Sequence, residues 1–123
     1  MIEFINDSKE KPFIKLKQIY LEAVNKNQPY VESMLISSLN AKNMEVNSRF
    51  VNIKFITNNE LIFFSNYNSP KAIEFASHDQ IAVTCFWSTV NIQIRMKANI
   101  NKCSKGFNNN YFNNRSWDKN ALA

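Results

Sequence analysis

The spacing of apolar residues near the start of the chain predicts one amphipathic helix. Between residues 12 and 26, apolar side chains recur three and four positions apart, as they do on the buried face of a helix. Pro12 suits the first helical turn, because its missing N–H would have no partner there. The apolar positions of this face are Phe13, Leu16, Tyr20, Ala23 and Val24. We therefore expect a helix over about residues 12–26 that covers one side of a core.

Further along the chain, apolar runs separated by polar segments predict β-strands joined by hairpins. The runs are Met34–Leu39, Val46–Ile56, Leu61–Asn66, Ile81–Trp87 and Asn91–Cys103. In the last run apolar and polar residues alternate, so Gln93 and Arg95 are expected to point away from the core face. Short meandering strands with flanking helices predict a mainly β fold, a small antiparallel barrel in a single domain over residues 1–123.

Asparagine takes the place of glycine at the expected turns. The chain has 20 Asn but one Gly, and the short Asn side chain tolerates positive φ better than most others. We expect hairpin turns at Asn40, Asn43, Asn58 and Asn59, which fall between apolar runs.

The segment after the third run has the features of a phosphate site. Ser69 is a favoured N-cap, and Pro70 suits the first turn of a helix that is expected to run to about Ser77. Lys71 would place an ammonium beside unpaired N–H groups and the positive end of the helix dipole, which together attract an anion. Taken alone, these residues favour an ordinary helix start over a phosphate site.

Composition narrows the class of protein. The chain is 45% hydrophobic and 20% charged, as in soluble globular proteins, and its net charge of +5 suits anionic partners. The basic residues are dispersed, which argues against nucleic-acid binding. No apolar run approaches the roughly 20 residues of a membrane span, and the start of the chain lacks the features of a signal peptide. We expect a cytoplasmic protein.

Candidate metal ligands and nucleophiles are few. Cys85 and Cys103 show no CxxC spacing, and two free thiols are expected, with Cys85 in the core. His78 is the single histidine and has no Cys close to it in the sequence. We therefore expect neither a metal site nor a His-based catalytic triad.

Four segments follow one another with the separations of a known family. They are Arg49-Phe50-Val51-Asn52-Ile53-Lys54, Phe64-Ser65-Asn66-Tyr67-Asn68-Ser69-Pro70-Lys71-Ala72, Gln93-Ile94-Arg95 and Tyr111-Phe112-x-x-Arg115. They resemble Arg-x-Val-Leu-Leu-Lys, Tyr-Thr-Asn-x-x-Ser-Arg-Lys-Ala, Arg-Gln-Val-Arg and Tyr-Phe-x-x-Arg of the pyridoxamine 5'-phosphate oxidase family. The resemblance implies an antiparallel split β-barrel that binds FMN.

The resemblance also implies roles for individual residues at the FMN site. Arg49 would pair with the FMN phosphate, Lys71 would add a charge, and Gln93 of a second subunit would hydrogen-bond to the isoalloxazine ring. The partner that the resemblance implies is a second copy of the chain, in a homodimer with FMN at the interface. The complete implied cofactor set is Arg49, Phe50, Val51, Asn52, Ile53, Lys54, Phe64, Ser65, Ser69, Pro70, Lys71 and Gln93.

On the substrate side, the resemblance implies a phosphorylated B6 vitamer. Lys54, Tyr111, Arg115 and Lys119 match positions that hold the phosphate of pyridoxamine or pyridoxine phosphate. The implied reaction transfers hydride from C4' to the flavin, and O2 then reoxidises the flavin, forming pyridoxal 5'-phosphate and peroxide. Because the cofactor carries this chemistry, no catalytic side chain is expected.

Several departures from the family pattern leave an alternative open. Pro70 and Ile92 stand where the family has Arg, Phe64 replaces Tyr, and Lys119 takes the place of a Ser. The family pattern continues with C-terminal strands beyond Ala123, and we expect these strands to be absent. The alternative is a non-catalytic module that holds FMN or pyridoxal phosphate, or a degenerate remnant of the enzyme. A flavin reductase or stress-type relative with another substrate is a third interpretation.

Overall fold

The computed structural model describes residues 1–64 and 77–101, which form two sheets and one helix. The elements are β1 (Glu3–Asp7), α1 (Lys11–Asn25), β2 (Ser33–Asn40), β3 (Glu45–Asn52), β4 (Phe55–Asn58), β5 (Glu60–Ile62), β6 (Gln80–Trp87) and β7 (Ile92–Asn99). The smaller sheet has the order β1-β4-β5 and the larger β3-β2-β6-β7. Within these ranges the predicted mainly β, mostly antiparallel fold is confirmed.

Helix α1 begins and ends within a residue of its predicted bounds, and local chemistry accounts for both ends. Pro12 lies in the first turn. At the other end Asn27 adopts a φ of 59°, the left-handed conformation that often terminates helices. The N–H of Asn27 donates to the carbonyl of Val24 (2.9 Å), and the N–H of Gln28 donates to that of Ala23 (3.0 Å). These bonds satisfy carbonyl groups that the helix end leaves without partners.

The prediction of one strand from Val46 to Ile56 is wrong, because this run forms β3 and β4 in different sheets. Between them, the N–H of Ile53 donates to the carbonyl of Glu32 and that of Lys54 to the carbonyl of Ile62, both at 2.8 Å. The chain thus passes from one sheet to the other at Ile53 and Lys54. Apolar residues continue through this crossing, so the sequence pattern does not show where one strand ends and the next begins.

Strand β1 was not predicted, and it pairs in parallel with β4 in an otherwise antiparallel structure. Phe4 lies opposite Ile56 in this pair. The hydroxyl of Tyr20 accepts a hydrogen bond from the N–H of Ile2 at 2.7 Å, which fastens the start of β1 to α1. Burial raises the pKa of Tyr20, so this hydroxyl keeps its proton.

The core lies between α1, the small sheet and one face of the large sheet. Trp87 and Tyr20 stand at its centre with ring centroids 5.9 Å apart, and Tyr20 also lies 5.2 Å from Phe4. The indole N–H of Trp87 donates to the carbonyl of Val31 at 3.0 Å, so this buried polar group has its partner. We call the covered face of the large sheet the inner face and the opposite one the outer face.

The hairpin turns agree with prediction at one place and differ at another. Asn58, in the turn between β4 and β5, has a φ of 52° as expected. In the turn between β2 and β3, the left-handed residue is Met44, with a φ of 59°. The side chains of Asn40 and Asn43 accept hydrogen bonds from the N–H groups of Lys42 and Glu45 instead. Asparagine therefore makes turns here through its amide as well as its backbone.

Candidate functional site

Arg49, the predicted phosphate ligand, lies on edge strand β3 and points to the inner face. It pairs with Ile36 of β2, whose side chain is buried. The guanidinium Nη1 donates to the hydroxyl of Ser38 at 2.6 Å and to the carbonyl of Ile36 at 3.4 Å. Arg49 is itself only partly exposed. The structure therefore holds a positive charge at the margin of the core, with its orientation set by β2.

Ser38 was not among the predicted site residues. Its side chain is only 2% exposed, and it follows Met34 and Ile36 on the inner face of β2. Burying a hydroxyl costs free energy unless it is hydrogen-bonded, and here the partner is a cation. The sequence does carry a signal for Ser38, because it is a polar residue at a strand position where the alternation places side chains toward the core.

The remaining residues of the segment from 49 to 54 divide between the two faces of the sheet. Val51 and Ile53 are buried in the core, whereas Phe50 and Asn52 are exposed on the outer face. Lys54 is half-buried at the crossing between the sheets, and its carbonyl accepts from the N–H of Glu3 at 3.0 Å. The side chains of this segment therefore do not meet at one surface, since alternate residues of a strand point to opposite faces.

Phe64 ends the first described range, and seven predicted site residues lie outside the described parts of the chain. The ring of Phe64 stands edge-on to that of Phe55, with centroids 6.5 Å apart. The residues outside 1–64 and 77–101 are Ser65, Ser69, Pro70, Lys71, Tyr111, Arg115 and Lys119. The proposed helix start at Ser69 and the phosphate contacts of these residues therefore stay predictions.

Gln93 lies on the outer face at the other edge of the large sheet. It is exposed and pairs with Phe86 of β6, as the alternation of β7 predicts. Strands β3 and β7 stand three steps apart in the sheet, about 14 Å at about 4.8 Å a step. Because Arg49 and Gln93 also leave the sheet on opposite faces, one chain does not bring them together.

The outer face carries apolar side chains that the described part of the chain leaves uncovered. Phe50 is 71% exposed and Phe86 is 58% exposed. Across the sheet, Phe50 pairs with Leu35, Leu35 with Thr84, and Thr84 with Arg95. Exposed aromatic residues on one face of a sheet are typical of a protein–protein contact.

The electrostatics of the core agree with a structural role for its thiol. Burial raises the pKa of Cys85 to about 11, so the thiol is neutral and unreactive at neutral pH. Cys103 lies outside the described residues. Over residues 1–64 and 77–101, no group of three or more His, Cys, Asp or Glu side chains is arranged to hold a metal ion. Nor is any helix in these ranges long and apolar enough to cross a membrane.

An open cavity of about 200 Å³ lies between α1 and strands β1 and β4. Its walls include Phe4, Phe13 and Ile56, together with Lys17 and Asp7, which form an ion pair. The ammonium of Lys17 also stands 5.4 Å from the centre of the Phe4 ring. Of the predicted cofactor and substrate residues that lie in the described ranges, none lines this cavity.

Comparison with known proteins identifies relatives by sequence, although no family model matches the chain. The pyridoxine/pyridoxamine 5'-phosphate oxidase of Thermosynechococcus vestitus is 27% identical over 110 residues, which are 89% of this chain and 52% of that protein. The enzyme of the same name from a Nostoc species is 29% identical over 104 residues, covering 85% and 48%. The chain thus spans about half the length of the curated relatives that it matches.

Solved structures of low sequence identity have the same fold. PhzG from Burkholderia lata, in complex with tetrahydrophenazine-1-carboxylic acid, superimposes with a TM-score of 0.81 at 17% identity, over 89% of this chain and 54% of that one. An FMN-binding protein related to pyridoxamine 5'-phosphate oxidase, from Nostoc punctiforme, gives 0.67 at 15% identity, over 85% and 55%. The predicted split-barrel fold is confirmed, and over residues 1–64 and 77–101 the two sheets do not close into one barrel.

Proposed function

We propose that this chain, which is similar in sequence to pyridoxine/pyridoxamine 5'-phosphate oxidases, is an FMN-dependent oxidase of that type. Its substrate is pyridoxamine or pyridoxine 5'-phosphate, its product pyridoxal 5'-phosphate, and its electron acceptor O2. The observation that carries the proposal is Arg49, a partly buried guanidinium at the margin of the core, fixed by Ser38. A planar, permanently charged fork of this kind suits a phosphate group.

The chain's own residues bind and orient the two phosphorylated molecules. Arg49 pairs with the phosphate of FMN, and Ser65, Ser69 and Lys71 contribute further hydroxyl and ammonium contacts to it. When bound at these residues, FMN would supply the redox chemistry of an oxidase, with O2 as the final electron acceptor.

The phosphate of the vitamer has its own set of binding residues. Lys54, half-buried at the crossing between the sheets, holds that phosphate together with Tyr111, Arg115 and Lys119. Since the protein's task is positioning, this assignment requires no general acid or base.

The proposed site is completed by a second copy of the chain. Gln93 and Arg49 of one chain lie at opposite edges and on opposite faces of the large sheet, so Gln93 from the other copy reaches the isoalloxazine ring. The exposed rings of Phe50 and Phe86 on the same face as Gln93 supply apolar area for that contact. The protein is therefore proposed to be a homodimer with FMN at its interface.

The direct test is flavin uptake followed by turnover. The purified protein is expected to show flavin absorbance, or to acquire it with added FMN, and to release peroxide when pyridoxamine 5'-phosphate is supplied. A colourless protein that does not take up added FMN would contradict the proposal. Arg49→Ala should weaken FMN binding by about 10- to 100-fold, as expected for the loss of one charge-assisted contact.

Mixing two defective variants tests whether the site is shared between chains. Arg49→Ala and Gln93→Ala are each expected to weaken FMN binding as homodimers. After the two are unfolded together and refolded at equal amounts, about one quarter of the sites should regain wild-type affinity, because each heterodimer has one intact site. No recovery, with heterodimers detected by mass spectrometry, would exclude the shared site.

A non-catalytic flavin-binding module is the alternative, and Pro70 and Ile92 favour it. Both stand where the family that the chain resembles has Arg. Each charge-assisted contact that is lost weakens the binding of FMN. The two functions separate in one assay. Tight FMN binding without peroxide release from pyridoxamine or pyridoxine phosphate supports the module, whereas turnover excludes it.

A further inference from the structure

Ser38 stands out on the inner face as a buried hydroxyl bonded to a cation. Met34 and Ile36, which precede it on β2 and point to the same face, are fully buried and apolar. Across the sheet Ser38 pairs with Ile81 on β6 and Asn47 on β3. Its hydroxyl lies 2.6 Å from Nη1 of Arg49, a short distance typical of a hydrogen bond with a charged donor.

The neighbouring serine on β2 provides the contrast. Ser37 points to the outer face, where its hydroxyl lies 2.7 Å from that of Ser48 and is exposed to water. That pair contains no charge, and its loss leaves no buried donor. Ser38 differs in both respects, because removing its oxygen takes away an acceptor from a partly buried guanidinium.

We propose that Ser38 is a positioning residue that orients the Arg49 guanidinium for the phosphate of FMN, an inference that rests on the proposed function. A free arginine side chain has many rotamers, and ordering them on binding costs free energy. Ser38 and the carbonyl of Ile36 hold one nitrogen of the guanidinium in place before the ligand arrives. The affinity for the phosphate therefore depends on a buried residue of the adjacent strand.

Comparison of FMN with riboflavin isolates this effect, since the two ligands differ only by the phosphate. Ser38→Ala is expected to weaken FMN binding about tenfold and to leave riboflavin binding within about twofold, measured by flavin fluorescence quenching. Ser38→Thr, which keeps the hydroxyl, should restore FMN affinity. Ser37→Ala is the matched control and should change neither. In an Arg49→Ala background, Ser38→Ala should have no further effect on FMN.

Each contrary result has a distinct meaning. If the wild-type protein prefers FMN over riboflavin and Ser38→Ala keeps that preference in full, the positioning role is wrong. Equal weakening of both flavins by Ser38→Ala also overturns it, because a merely structural defect does not discriminate by phosphate. A wild-type protein that binds FMN no better than riboflavin refutes the proposed Arg49 contact itself. If Ser38→Ala does not fold, Ser38→Cys takes its place, because the thiol is a weaker acceptor of similar size. It is judged by the same quantity, the affinity for FMN relative to that for riboflavin.

Discussion

The two faces of the large sheet are made by the same four strands and differ in what covers them. Trp87 and Phe86 are adjacent on β6, yet Trp87 is 1% exposed and Phe86 is 58% exposed. The inner face packs against α1 and the small sheet, and it carries the buried hydroxyl of Ser38 hydrogen-bonded to Arg49. The outer face presents aromatic rings beside Gln93 and Arg95. One face therefore supplies stability, and the other is available for association.

The largest expected effect separates the two aromatic neighbours. Trp87→Ala should lower the free energy of unfolding by about 3–5 kcal/mol, because it opens a cavity and leaves the carbonyl of Val31 without its donor. Phe86→Ala should cost under about 1 kcal/mol in the monomer, since its ring is mostly in water already. Urea denaturation at low protein concentration measures both. Similar losses for the two variants would contradict the assignment of faces.

Alkaline pH should weaken the inner face specifically. Burial raises the pKa of Cys85 from its ordinary value of 9.0 to about 11 in the folded chain. The neutral Cys85 thiol therefore contributes fully to the free energy of unfolding below about pH 9. This contribution, on the order of 2 kcal/mol, is lost as the pH rises through about 11. Thermal unfolding from pH 8 to 11 measures this loss. Cys85→Ala should make stability fall less steeply with rising pH. Tyr20→Phe should reduce the fall further, because the pKa of Tyr20 is raised too. An unchanged slope in Cys85→Ala would contradict the prediction.

Association should depend on the outer face. Phe50→Ser is expected to weaken the proposed dimer by about 1–2 kcal/mol, or roughly 5- to 30-fold, because the ring is buried only on contact with a second copy. Sedimentation over a range of protein concentrations measures the change. Leu21→Ser is the matched control, since Leu21 is 53% exposed on α1, away from this face. Equal dissociation of both variants, or a wild-type monomer, would overturn the two-chain site.

The smallest effect is expected for the exposed hydroxyl pair. Ser48→Ala should change the free energy of unfolding by less than about 0.5 kcal/mol, because water replaces the lost bond with Ser37. Urea denaturation alongside Ser38→Ala sharpens the comparison between the faces. A loss for Ser48→Ala as large as that for Ser38→Ala would show that the two serines are equivalent.

The parts that sequence reasoning predicted well depend on near neighbours in the chain. Helix α1 was expected at about 12–26 and is found at Lys11–Asn25, because its apolar spacing and Pro12 act within a few turns. The alternation of β7 correctly assigns Gln93 to the outer face, since the period of a strand is a local property. The resemblance to the oxidase family, which selected Arg49, is confirmed by the relatives found.

The parts that were missed depend on contacts between distant segments. Strand β1 is stabilised by pairing with β4, about fifty residues later, and the chain changes sheets at Ile53 without any change of pattern. The contact of Ser38 with Arg49 likewise joins two strands through their register. Neither segment alone carries the information that the other will lie beside it.

The sequence by itself determined where the helix and most strands form, which residues alternate along them, and that Arg49 and Gln93 are the residues to examine. Only the tertiary structure decided which elements cover the inner face, that Arg49 is held by Ser38, and that Arg49 and Gln93 lie apart in one chain. The physical reason is that backbone preferences and periodicity are short-range, whereas burial is conferred by whichever elements pack on a face.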